Sequence, residues 1–293
     1  MPFPPDAASA GTWTLGDLTV NRIGLGAMRL TGSAAFDLGT PSNRERSLTV
    51  LRRAVELGVN HIDTAAFYFS PLRSANELIN TALAPYPDDL VITTKVGPGR
   101  DPSGNWLGPA TPGQLRGQVE ENLRQLGRDH LDVVNLRVVA PGPVSEHFGA
   151  LSQLRDAGMI RHLGISNVRP ENLDEALAIA PVVCVQNRYS LDLRRPDTEA
   201  WCGPVASTAS PSSRSSPLPA REPSPVSRPP TRLGSSRRPG PQRHRGPGPV
   251  GLDLAPGPHL LAIPGTGNLT HLEQNVAAGA LHLTPEDLAQ LTP

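Results

Sequence analysis

His61-Ile62-Asp63-Thr64-Ala65-Ala66-Phe67-Tyr68 is the stretch on which the reading of this chain turns. A second run, Val91-Ile92-Thr93-Thr94-Lys95, belongs with it. Strands are expected over residues 60–64 and 90–95, because each is a short apolar stretch rich in Val, Ile and Thr that closes on a polar residue. In a β/α barrel the carboxyl ends of the strands line the site, so Asp63 and Lys95 would face one pocket. Tyr68 follows Asp63 by five residues, in the loop after the strand. An ammonium group beside a phenol stabilises the phenolate, which makes the phenol a better proton donor.

Lys95 is the only lysine among 293 residues; the other 26 basic side chains in the Lys+Arg count are arginines. A composition that has otherwise drifted to arginine but keeps one ammonium points to a position that needs lysine chemistry. Lysine is a compact point charge that its surroundings can tune, whereas arginine stays protonated.

The same grammar of alternating elements runs outward from this pair. Trp13-Thr14-Leu15 and Leu18-Thr19-Val20 flank a Gly16-Asp17 turn and read as a hairpin. Ile23-Gly24-Leu25-Gly26 follows as a first barrel strand, its glycines leaving room for backbone to approach a cofactor. A helix is expected after a Ser42/Glu45 capping box, with Leu48, Leu51 and Val55 on one face and Gly58 as its stop. Thr111 and Gln114 cap another, with Pro112 at its first position, Leu115, Val119 and Leu126 on its apolar face, and Gly127 at its end. Strands are expected at 131–136, 160–165 and 182–186, with helices up to Gly158 and over 171–179. Strands alternating with helices of this length imply βαβ units and a parallel sheet.

These motifs resemble the aldo-keto reductase family, which carries Asp-Thr-Ala-x-x-Tyr after its second strand and Thr-Lys at the end of its third. Asp63, Tyr68 and Lys95 fall on those positions. The resemblance runs from about Trp13 to Asp192 and resumes from about His259. It implies an eight-stranded (β/α)8 TIM barrel with an N-terminal β-hairpin plugging its bottom. It also implies hydride transfer between NAD(P)H and an aldehyde or ketone, with NADP expected and NAD possible. Asp63, Tyr68, Lys95 and Arg137 would be catalytic, Arg137 standing where many members place a histidine after Leu136. A guanidinium donates hydrogen bonds but does not surrender its proton, so Arg137 would orient the carbonyl and Tyr68 would supply the proton. Gly164-Ile165-Ser166-Asn167 and Val185-Gln186-Asn187 end the fifth and sixth strands. There the resemblance assigns Ser166, Asn167 and Gln186 to the nicotinamide carboxamide. Ile263-Pro264-Gly265-Thr266-Gly267-Asn268 is similar to the family's adenosine-phosphate loop, which adds Gly265 and Thr266, with Gln274 and Asn275 on the adenine. Gly265 and His271 stand where NADP-preferring members often have Lys and Arg, so NADP over NAD is not decided here.

One segment breaks the pattern. Residues 201–250 hold 12 Pro, 10 Ser, 8 Arg and 5 Gly, with Glu222 the single acid. Such a stretch lacks a face to bury and is expected to be disordered. Two readings stay open: a real basic linker, or a reading-frame excursion in a GC-rich gene. The second fits the 77 residues from Gln186 to Ile263, close to two β/α units of about 30 each. In that case the seventh β/α unit is replaced by low-complexity sequence, and the aromatic side chain that the family stacks on the nicotinamide goes with it. Helical character at Asp197-Thr198-Glu199-Ala200 and a capped helix at Thr284–Leu288 bracket the gap and the tail.

The length suits one barrel domain of about 250 residues or two smaller domains, and a single barrel domain over 1–293 is expected. The formal net charge of zero gives no reason to expect nucleic acid or membrane partners, and the basic segment alone is weak ground for an adaptor role. Cys184 and Cys202 are the two cysteines, too few for a disulfide framework or a zinc pattern, so no metal site is expected. No secretory leader or apolar run of about 18 residues is visible, so a cytoplasmic monomer acting on a small carbonyl compound is expected. The rival reading is a non-catalytic relic of the family, open at the seventh unit.

Overall fold

The computed structural model describes residues 5–33, 38–187, 206–209, 254 and 258–281, the strand 206–209 by its backbone course alone. The expected helices at Asp197 and Thr284, and all of 201–250 except that strand, lie outside the described residues.

A hairpin opens the fold: β1 (Thr12–Leu15) pairs antiparallel with β2 (Leu18–Asn21). Leu15 and Val20 are fully buried against Val91, Val133, Cys184 and Leu261, which belong to the barrel interior, so the hairpin closes the barrel at one end. The barrel strands are β3 (Leu25–Gly26), β4 (His61–Asp63), β7 (Val91–Val96), β8 (Leu131–Arg137), β9 (Ile160–Ser166), β10 (Val182–Gln186), β11 (Ala206–Ala209) and β12 (Leu260–Ala262). Each pairs in parallel with the next. Parallel bridges Ile23↔Ala262 and Gly26↔Gly265 join the first strand to the last. Gly24 N–H donates to Ala262 O at 2.8 Å and Gly26 N–H to Pro264 O at 3.2 Å, so the sheet is a closed cylinder of eight strands. A Cβ on Gly24 would lie 2.6 Å from His61 O, and one on Gly26 2.7 Å from Ile263 O. These glycines therefore let neighbouring strands come together.

The seventh strand is a second departure. The sequence pattern left that position empty, yet β11 sits there, in register with β10 at Cys184↔Ala206 and with β12 at Ser207↔Leu260. Its sequence, Ala-Ser-Thr-Ala, carries no apolar alternation that a sequence reading could detect. Strand pairing needs only backbone N–H and C=O groups, and two flanking strands supply them.

Helices cover the outside. α1 (Arg44–Glu56) buries Leu48 and Leu51 but starts one residue later than expected. Its N-cap is Asn43, whose side chain accepts from Arg46 N–H at 2.9 Å, while Ser42 Oγ donates to Leu30 O. A short antiparallel pair, β5 (Phe69–Ser70) and β6 (Arg73–Ser74), leads into α2 (Ala75–Leu83). α3 (Pro112–Leu126) has the expected cap, Thr111 N–H donating to Gln114 Oε1 at 2.8 Å, and ends on Gly127 at φ 62°. α4 (Ser145–Asp156), α5 (Pro170–Leu177) and α6 (Leu269–Ala277) complete the described helices. None of them is long and apolar enough to cross a membrane.

A buried polar chain ties two helices to the strands on which the sequence reading was centred. Thr64 Oγ1 donates to Asn76 Oδ1 of α2 at 2.8 Å, and Asn76 Nδ2 donates to Asn122 Oδ1 of α3 at 2.9 Å. Thr94 Oγ1 donates to the same oxygen at 2.6 Å. Thr64 and Thr94 adjoin Asp63 and Lys95 in sequence, and neighbours along a strand face opposite ways. Fixing the outward threonines thus fixes the inward charged pair.

Candidate active site

Lys95 is among the largest fully buried side chains of the described residues, 1% exposed. A charge so deep requires a partner, and Asp63, 4% exposed, supplies it: Lys95 Nζ donates to Oδ1 at 2.6 Å and to Oδ2 at 2.7 Å. A third bond runs to Thr64 O at 3.2 Å. Burial by itself would push the Lys95 ammonium down, but the Asp63 carboxylate, with Tyr68 beside it, outweighs this and holds it above its ordinary value. The lysine is a fixed cation. Its Nζ lies 5.1 Å from the centroid of the Tyr68 ring, and Tyr68 is itself buried. The three residues singled out in the sequence form one contiguous group.

The loop that carries Tyr68 is clamped from outside by Arg100. Its Nη1 donates to Phe69 O at 3.1 Å and Phe67 O at 3.4 Å, and its Nε to Gly104 O at 3.1 Å. The guanidinium stacks over Phe69 at 4.5 Å and Trp106 at 5.4 Å. Phe67 meets Tyr68 edge-on at 5.1 Å and Trp106 at 5.8 Å, which makes an aromatic wall beside the phenol. The sequence reading missed this group, since nothing local marks Arg100 as different from the other arginines.

Register places the remaining strand-end residues. Arg137 pairs with Ser166, and Ser166 with Gln186, so the three form one row at the carboxyl ends of β8, β9 and β10. Ser166 and Gln186 are buried, and Arg137 is half-buried. Among the described residues the Arg137 guanidinium has no hydrogen bond or ion pair. Gln186 Oε1 accepts from Asn135 Nδ2 at 3.0 Å. Asn167 is exposed, holds a left-handed backbone at φ 59°, and donates from Nδ2 to Val138 O at 2.7 Å. One of its amide protons thus braces the loop after β8.

Gly265 and Thr266 follow β12 and lead into α6. Thr266 Oγ1 accepts from Asn268 N–H at 3.1 Å, and Asn268 caps the helix through His271 N–H at 3.1 Å. A glycine-containing loop on a helix N-terminus suits a phosphate group, because free N–H groups point outward there. Gln274, exposed, and Asn275, half-buried, lie further along α6 and make no described side-chain hydrogen bond to the other candidate residues. The donors present therefore fit the two ends of a nicotinamide dinucleotide. The ring-stacking aromatic does not come from β11, whose four residues include none.

A closed parallel barrel with a buried Asp–Lys pair, a tyrosine and an arginine at its strand ends is the architecture of barrel enzymes, whose sites lie at the carboxyl face. The sequence model described as Aldo/keto reductase family matches residues 22–202. A pyridoxine 4-dehydrogenase of Escherichia coli is 40% identical over 97% of this chain and 98% of its own. An uncharacterized oxidoreductase of Schizosaccharomyces pombe is 34% identical over 98% of this chain and 90% of its own. Among solved structures, an aldo-keto reductase from Klebsiella pneumoniae in complex with NADPH shares the fold with a TM-score of 0.68. It is 24% identical and covers 93% of this chain and 90% of its own. The chain belongs to the aldo/keto reductase family. It is an oxidoreductase that moves a hydride between a nicotinamide cofactor and a carbonyl compound.

Proposed function

We propose that Tyr68 donates the proton in this reaction, with Lys95 polarising its phenol, Asp63 holding Lys95, and Arg137 orienting the carbonyl. The observation that carries this reading is the fully buried lysine bonded to both oxygens of Asp63 and set against the Tyr68 ring. When bound, the nicotinamide supplies the hydride that the carbonyl carbon accepts. As negative charge gathers on the carbonyl oxygen, the Tyr68 hydroxyl transfers its proton there, and the Lys95 ammonium offsets the charge left on the phenol oxygen. Arg137 donates N–H groups to the substrate oxygen and keeps its own protons.

Ser166, Asn167 and Gln186 are proposed to hold the nicotinamide carboxamide. Gly265 and Thr266 are proposed to hold the adenosine phosphate, and Gln274 and Asn275 the adenine. NADPH is the proposed cofactor, supported by the NADPH-bound family structure, with NADH as the comparison. The proposed substrate is pyridoxine and its 4-aldehyde, on the strength of the pyridoxine 4-dehydrogenase that aligns over nearly the whole chain. Phe67 and Trp106 would offer such a ring an aromatic wall. The working form is a cytoplasmic monomer, in which all of these residues come from one chain and Cys184 stays a free thiol.

The decisive test compares kcat for aldehyde reduction with the Kd for NADPH in Tyr68→Phe. The variant should lose at least about 100-fold in kcat, the scale of general acid catalysis, and hold its cofactor affinity within a few-fold. A kcat near that of the parent would remove Tyr68 from the proton step.

A further inference from the structure

Below the row Arg137–Ser166–Gln186 lies a second: Lys95 pairs with Asn135, Asn135 with Gly164, and Gly164 with Cys184. Residues in register on parallel strands face the same side, so this row is one layer deeper in the barrel. Gly164 leaves a gap in it. A Cβ there would overlap Asn135 Oδ1 and lie 2.6 Å from Cys184 Sγ. Through that gap Asn135 reaches from β8 past β9 to β10. Cys184 Sγ donates to Asn135 Oδ1 at 3.2 Å, and Asn135 Nδ2 donates to Gln186 Oε1 at 3.0 Å. Asn135 and Cys184 are both fully buried.

The direction of this relay is set at its closed end. A buried thiol has one proton to give, and burial pushes Cys184 up to about 12, so it keeps that proton. With Asn135 Oδ1 accepting from the thiol, Asn135 Nδ2 is turned toward Gln186 and holds Gln186 Oε1 turned toward Asn135. We propose that Asn135, backed by Cys184 across Gly164, is a positioning residue that turns the Gln186 amide so its N–H groups face the nicotinamide pocket. Gln186 then presents a donor for the carboxamide oxygen and no acceptor for the carboxamide nitrogen. The inference rests on the reading that Gln186 meets the carboxamide.

The experiment measures Kd by tryptophan fluorescence quenching in the full chain. The ligands are NADP+ and its 3-acetylpyridine analogue, which keeps the carbonyl oxygen and replaces the amide nitrogen with a methyl group. The parent should bind both within about fivefold, the value of one net hydrogen bond. Asn135→Asp supplies only acceptors, so Gln186 must turn its nitrogen inward and its oxygen outward. The analogue, with no N–H to offer, should then lose about tenfold more affinity than NADP+, which can turn its own amide. Should that variant fail to fold, Cys184→Ala should raise the same ratio, and Cys184→Ser, which keeps a donor, should restore it. Equal losses for both ligands in Asn135→Asp and Cys184→Ala would overturn the proposal. Gln186→Leu tests the reading beneath it, since unchanged NADP+ affinity there would remove Gln186 from the carboxamide altogether. A readout free of cofactor is the S–H stretching band of the Cys202→Ser chain. It should sit below the free-thiol frequency and rise to it in Asn135→Ala; a parent band already at the free value would refute the relay.

Discussion

Two buried titratable residues in the barrel interior carry opposite requirements. Lys95 must stay charged, so its stability contribution depends on Asp63. Lys95→Met would leave that carboxylate buried and unpaired, at a cost of about 3–5 kcal/mol, and Asp63→Asn in the same chain should recover part of it. Urea unfolding of the three proteins reads this directly. His61, fully buried under the pair, must stay neutral. Its Nε2 meets Thr93 Oγ1 at 3.1 Å and its Nδ1 has no partner. Burial, with Lys95 adding to it against the pull of Asp63, lowers its pKa from 6.5 to about 4. Between those values the unfolded chain binds a proton that the folded one refuses, so stability falls as pH drops through that window. From pH 6.5 to 5 the loss should be about 1–2 kcal/mol, and His61→Asn should flatten that slope. An unchanged slope in the variant would show that His61 titrates normally.

At the level of elements, the helices and strands hold the site through polar contacts as well as apolar packing. Asn122 of α3 accepts from both Thr94 and Asn76 and donates to Gln118 O at 2.8 Å. Asn122→Ala strips partners from two buried groups and should cost about 1–3 kcal/mol, with a loss of activity that exceeds the loss of folded protein. Activity falling only in proportion to the folded fraction would mean the chain fixes the helices without fixing Lys95. The caps show what local sequence can and cannot specify. Thr111, Pro112 and Gln114 act as their spacing suggested. At α1 the cap moved from Ser42 to Asn43, because Leu30 O was within reach of Ser42 and took its hydroxyl.

For the whole molecule, closure of the barrel runs through a strand of four small residues. Ser207 pairs with Val185 on one side and Leu260 on the other. Ser207→Pro removes a ladder N–H from a strand flanked on both sides and should cost more than about 1 kcal/mol, visible as a Tm several degrees lower. A Tm equal to the parent's would mean that β11 contributes nothing to closure.

What the sequence by itself determined was the parallel barrel as far as β10 and the grouping of Asp63, Tyr68 and Lys95. Buried strands write their environment locally, as apolar runs, and a polar residue that ends such a run marks the mouth. The place of Ala206–Ala209, the gap at Gly164 and the reach of Asn135 to Gln186 were decided by tertiary structure alone. Each depends on the register between strands distant in the chain. Register is settled by backbone pairing and by the space a neighbour leaves, and neither leaves a periodic trace in the residues themselves.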